Sequence, residues 1–103
     1  MFVEGKVKQL CFYLRAFWQE ELPYAELDLF FWDTMEEWSQ VNYNFEQPYS
    51  SEERVFWHLL HQIHYWPEEK LLHDTYLVEE LANCIHYLEG KGFCPFDCIG
   101  IRP

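Results

Sequence analysis

Positive charge is what this chain has least of: seven Lys and Arg stand against eighteen Asp and Glu, a formal charge of −11 at pH 7. A surface that grips phosphates needs clustered cations, so direct nucleic-acid binding is not expected. Contact with anionic membrane is disfavoured on the same ground. Long apolar runs are missing too: nowhere do about 18 uncharged apolar residues follow one another, as a membrane span requires. The start, Met1-Phe-Val-Glu-Gly-Lys, has no apolar stretch behind a basic one and so reads as no secretory signal. The protein is therefore expected in the cytoplasm, with Cys11, Cys84, Cys94 and Cys98 as reduced thiols rather than two disulfides. Glycine occurs only at 5, 90, 92 and 100, which makes no phosphate-cradling loop; there are three serines and no G-x-S-x-G. Adjacent glutamates on a helix diverge by about 100°, which suits them poorly to paired-carboxylate hydrolysis. No enzymatic activity and no cofactor are expected.

Core-forming residues are abundant: half of the chain is hydrophobic and a fifth aromatic, too much for a disordered acidic segment. A length of 103 residues supports one core, so residues 1–103 are read as a single domain. Val3, Val7, Leu10, Cys11, Leu14, Phe17 and Trp18 recur at helical spacing. A second helix opens with Pro23 in its first turn, buries Leu27, Phe31, Met35 and Trp38, and ends near Val41. Residues 39–50 lose periodicity and read as a loop. Ser50 with Glu53 has capping-box spacing, the hydroxyl serving the Glu53 amide and the carboxylate reaching back to the cap amide. A third helix carries Val55, Phe56, Leu59, Leu60 and Ile63 as far as Pro67, which blocks continuation and opens a short turn with Glu68 and Glu69. Asp74 or Thr75 caps a fourth long helix bearing Leu77, Val78, Leu81, Cys84, Ile85 and Leu88, and Gly90 ends it. Lys91 to Pro103 is read as irregular or one short edge strand. Four of the Glu-Glu pairs begin sixteen residues apart, at residues 20, 36, 52 and 68, but the apolar positions around them do not repeat, which argues against internal duplication. The expected fold is all-α, a compact antiparallel bundle of about four main helices with an irregular C-terminal tail.

The segment from Ala16 to Glu53 holds ten acidic residues and no Lys or Arg. Helices normally gain a few tenths of a kcal/mol from each Glu–Lys pair at i, i+4, a stabilisation this segment forgoes. A solvated acidic face is one reading; a surface shaped for a basic partner is the other. At about 100° per residue Asp28, Trp32 and Glu36 stack on one line away from the Leu27/Phe31/Trp38 stripe, with Leu29 and Asp33 beside them. An indole ringed by carboxylates can fill a pocket while the charges engage Lys or Arg, although Trp32 packed under the 39–50 loop or the tail fits the pattern equally well. The loop itself, with Tyr43, Phe45, Glu46 and Tyr49 among Asn and Gln, has a recognition-surface composition. The candidate partner-binding set is thus Asp28, Trp32, Asp33, Glu36, Glu37, Tyr43, Phe45, Glu46 and Tyr49.

Two clusters raise metal binding. His58-x-x-His61-x-x-His64 spreads over about 120° of a helix and lacks the Glu of H-E-x-x-H, so a mixed face with Trp57 and Tyr65 is the simpler reading. Cys84, His86, Cys94 and Cys98 are zinc-ligand types, but C-x₃-C stands outside C-x₂-C spacing and Cys84 falls on an apolar stripe. No metal site is assigned.

In size, acidity and acid-plus-aromatic surface, over most of its length, the chain resembles the bacterial immunity proteins that neutralise nuclease toxins of contact-dependent growth inhibition and colicin systems. The resemblance is one of profile rather than motif, and the candidate residues above are assigned on physical grounds. It implies a cytoplasmic toxin inhibitor whose partner is a cognate toxin with a basic nuclease domain, bound either over the active site or beside it. A phage- or plasmid-encoded nucleic-acid mimic of anti-CRISPR or antirestriction type is the alternative, and a small zinc-binding protein the third.

Overall fold

The structure, a computed structural model, describes residues 2–41, 50–95, 100, 101 and 103. These residues form five helices: α1 (Phe2–Trp18), α2 (Tyr24–Ser39), α3 (Ser51–Tyr65), the short α4 (Glu68–His73) and α5 (Thr75–Leu88). The protein is all-α with four main helices, as its periodicity predicts, and the turn expected at Pro67 winds into the six residues of α4. No described residue of the tail is in a strand, so the edge-strand alternative does not hold there.

Helix boundaries follow local chemistry. Both prolines sit one position earlier than a first-turn residue: Pro23 and Pro67 are N-caps in extended conformation, and their carbonyls accept from Glu26 and Leu71. Trp66, before Pro67, is extended as pre-proline sterics require, which stops α3. Ser50 Oγ accepts from the Glu53 amide at 3.0 Å, the first half of the expected capping box, and Asp74 Oδ1 accepts from the Leu77 amide at 3.0 Å.

α1 and α5 end in the same hydrogen-bond pattern with different residues at its left-handed position. After α5 the amide of Gly90 (φ 84°) donates to Tyr87 O and that of Lys91 to His86 O. After α1 the amide of Glu20 donates to Phe17 O and that of Glu21 to Ala16 O, with Glu20 at φ 60°. This is the Schellman arrangement, which favours glycine at that position because a Cβ crowds the neighbouring carbonyl.

One hydrophobic cluster joins the four long helices. α1 packs on α2, α2 on α3, α3 on α5 and α5 on α1, while α1 and α3 also touch, so α2 and α5 flank the α1–α3 pair from two sides. Ring contacts give the direction: Phe2 meets Trp38 and Phe17 meets Tyr24, and Phe31 meets His64 while Trp38 meets Trp57, so α2 runs antiparallel to both α1 and α3. The apolar arc of α2 is wider than a single stripe. Phe30 and Thr34 are buried along with Leu27, Phe31 and Trp38, and Met35 is only half-buried, because α2 covers two neighbours; Phe30 meets Tyr13 of α1 at a tilt, ring centroids 4.9 Å apart.

The tail returns over this frame at Gly100, whose amide donates to the Arg54 carbonyl at 3.2 Å. A methyl group there would stand 2.3 Å from the His58 nitrogen and 2.4 Å from the Arg54 oxygen, so only glycine permits the approach. Further along, Pro103 O accepts from Trp38 Nε1 at 3.3 Å.

Candidate functional site

On the outer face of α2 an exposed apolar group stands among carboxylates that have no ion-pair partner among the described residues. Trp32 is 55 % exposed and Leu29 52 %, with Asp33 and Glu36 exposed beside them. Neither Asp33 nor Glu36 has an ion-pair partner among the described residues. Indole N–H groups elsewhere are satisfied internally: Trp18 donates to Leu71 O, Trp38 to Pro103 O, Trp57 to Glu53 Oε2 and Trp66 to Gln62 Oε1. Trp32 alone has no acceptor among the described residues. An exposed indole with an open donor is the amphipathic group that protein interfaces favour.

The flanks of α2 separate the other candidates. Asp28 lies toward α3, its Oδ1 3.5 Å from His64 Nδ1. His64 stacks flat on Phe31, with centroids 4.1 Å apart and planes 5° from parallel, and presents its ring to Trp32 edge-on at 5.2 Å. Glu37 lies toward α1 and forms an ion pair with Lys6, whose ammonium also covers the Phe30 ring at 5.5 Å. The one-sign segment thus meets Lys6 of α1 along one edge and the His64 ring of α3 along the other, while Asp33 and Glu36 between them have no ion-pair partner among the described residues. Asp28 and Glu37 belong to the intramolecular lacing; Trp32, Asp33 and Glu36 make the open face. Tyr43, Phe45, Glu46 and Tyr49 lie outside the described residues.

Two participants escape sequence reasoning. His64 reads as one member of a histidine series, and only the register of α3 against α2 brings it to Asp28 and Trp32. Glu53 reads as the capping-box partner of Ser50, but its burial at 2 % exposure and the 2.9 Å hydrogen bond it accepts from Trp57 Nε1 were not foreseen. The i, i+4 spacing of an acid before an apolar Trp is the signal that was available.

The histidines of α3 diverge. His58 Nε2 is buried 3.5 Å from Glu80 of α5 without hydrogen-bond geometry, His61 Nδ1 stands 2.7 Å from Trp57 O, and His64 faces α2. The mixed face expected with them dissolves, since Trp57 is wholly buried and Tyr65 is 72 % exposed. Cys84 points into the core while His86 and Cys94 are exposed; Cys98 lies outside the described residues. Among the described residues no group of three or more His, Cys, Asp or Glu side chains is placed to hold a metal ion. Cys11 and Cys94 are free thiols, and burial with Glu89 nearby pushes the Cys11 thiol up to about 11.

No helix among the described residues is long and apolar enough to cross a membrane. Compared with known proteins, the chain matches no family model, no curated protein and no solved structure.

Proposed function

We propose that this chain is a cytoplasmic immunity protein, a non-enzymatic inhibitor that neutralises a basic nuclease toxin through the outer face of α2. The observation that carries the reading is Trp32, half in water beside the exposed carboxylates of Asp33 and Glu36, its N–H without an acceptor and both acids without an ion-pair partner among the described residues. A nuclease must present Lys, Arg and protonated His to phosphates, and a carboxylate surface with an aromatic anchor complements such a cleft in charge. The −11 net charge supports fast capture, because opposite fields can raise association to about 10⁸–10⁹ M⁻¹s⁻¹ at low salt. The α2 face then acts by occlusion and supplies no reacting group.

The test is a tagged pull-down from the native cell at low salt and at about 0.5 M salt, where the Debye length falls to a few ångströms. Bound proteins are identified by mass spectrometry. Capture of one basic nuclease domain is expected, with binding lost in Asp33→Lys/Glu36→Lys and weakened in Trp32→Ala while both variants stay folded. Recovery of a host nucleic-acid-processing or CRISPR enzyme would make the chain a nucleic-acid mimic instead, and unchanged affinity of the charge-reversed variant would remove α2 from the interface.

A further inference from the structure

A concave surface lies on α5, on the other flank of the α1–α3 pair, and the reading of α2 makes no use of it. Tyr76, Glu79, Glu80, Asn83 and His86 recur on the outward side of α5, opposite the buried Leu77, Leu81, Cys84, Ile85 and Leu88. Tail residues 92–95 stand across from them, enclosing a cleft of about 720 Å³. That volume lies within the range of functional ligand sites.

Its chemistry is specific. Tyr76 is 87 % and Phe93 95 % exposed, two large rings left in water on the two walls. Each ring buries on the order of 150–250 Å² when covered, so both gain from an occupant. Two carboxylates, Glu79 and Glu80, line the same space, and no Lys or Arg is among the lining residues. Glu80 is half exposed even with His58 at 3.5 Å, and Glu79 has no ion-pair partner among the described residues. Asn83 and His86 add neutral hydrogen-bonding groups at its side.

We infer that the α5–tail cleft binds an arginine-bearing segment of a partner protein, with guanidinium groups stacked on Tyr76 or Phe93 and forked onto Glu79 and Glu80. Aromatic faces beside carboxylates fit arginine better than lysine, since the planar guanidinium stacks on a ring and can offer two parallel N–H donors to one carboxylate, whereas ammonium is a compact, strongly hydrated point charge.

The test uses the full chain and a capped Gly-Arg-Gly-Arg-Gly peptide, titrated by ¹⁵N NMR alongside its citrulline isostere, which keeps the shape and loses the charge. Shifts are expected at residues 76–86 and 92–94. Glu79→Gln/Glu80→Gln and the citrulline peptide should each weaken binding at least about tenfold, the scale of a lost charge-assisted hydrogen bond. Phe93→Ala, at an exposed position, should weaken it about threefold, in the range of one exposed cation–π contact. Asp33→Asn/Glu36→Gln on α2 removes the same charge elsewhere and should change Kd by less than about twofold, as expected of a screened, distant pair. Equal binding of the citrulline peptide, wild-type affinity in the α5 variant, or an equal loss in the α2 variant would each overturn the assignment, the last by showing that only net charge attracts the peptide. None of these outcomes depends on whether α2 meets a nuclease.

Discussion

Two acid–indole pairs occupy neighbouring helices and end in opposite environments. On α3, Glu53 and Trp57 are one turn apart and both buried, the indole donating to the carboxylate at 2.9 Å. On α2, Trp32 and Glu36 have the same one-turn spacing, yet the indole is 55 % exposed, its N–H has no acceptor among the described residues, and Glu36 lies in water. The inner pair satisfies a polar requirement that burial created. The outer pair leaves both groups available, and availability is what an interface needs. The same two residue types, four positions apart but in opposite order, thus pair inside the core in one place and lie in water in the other, according to which side of the helix faces the core.

Removing the rings would break the comparison most visibly. Trp57→Ala is expected to cost about 3–5 kcal/mol, the range for truncating a fully buried aromatic, while Trp32→Ala should stay within about 0.5 kcal/mol, as surface changes do. Denaturant titration measures both, and a large loss for Trp32→Ala would return that residue to the core. The acids give a smaller contrast: Glu53→Ala orphans the Trp57 N–H and should cost about 1–3 kcal/mol, whereas Glu36→Ala should stay within about 0.5 kcal/mol. A third acid sharpens the point, because Glu20 holds a left-handed turn that Gly90 holds at the equivalent end of α5. Glu20→Gly should therefore stabilise the fold by about 1 kcal/mol, seen as a raised Tm.

Thiols repeat the contrast between inside and outside in chemical form. Cys94 is exposed and should react with an alkylating reagent at pH 8, while buried Cys11, its thiol pushed up to about 11, should not until the protein unfolds. The sign of the linked pH effect follows: the folded state holds the Cys11 proton more tightly than the unfolded chain. The contribution is fully present below the ordinary thiol value near 9 and is lost as pH rises from there through about 11. A urea series across that range reads it, and Cys11→Ser should flatten the alkaline limb. One turn along α1 from Cys11, Arg15 donates two hydrogen bonds to Glu89, at 3.2 and 2.6 Å, and holds its carboxyl below the usual range, so that pair weakens as acid protonates Glu89.

Most of the fold was legible because helices announce themselves locally. The apolar positions of α1, α3 and α5, the Ser50 and Asp74 caps and the Gly90 stop depend on neighbours within a turn or two, and each was readable without knowing the rest of the molecule. The outward face of Trp32, Asp33 and Glu36 was legible for the same reason, as angular position on a helix follows from spacing alone. Partners distant in sequence were not legible. Lys6 meets Glu37 and His64 meets Asp28 because antiparallel packing sets their register. Gly100 is explained only by the backbone of α3 pressed against it. Sequence by itself thus determined the helices, their inner and outer sides and the acidity of the chain, through interactions local to each helix. Tertiary structure alone decided which acids are laced and which stay open, that Glu53 lies inside, and that α5 and the tail enclose a cleft, since each depends on groups brought together by packing rather than by the chain.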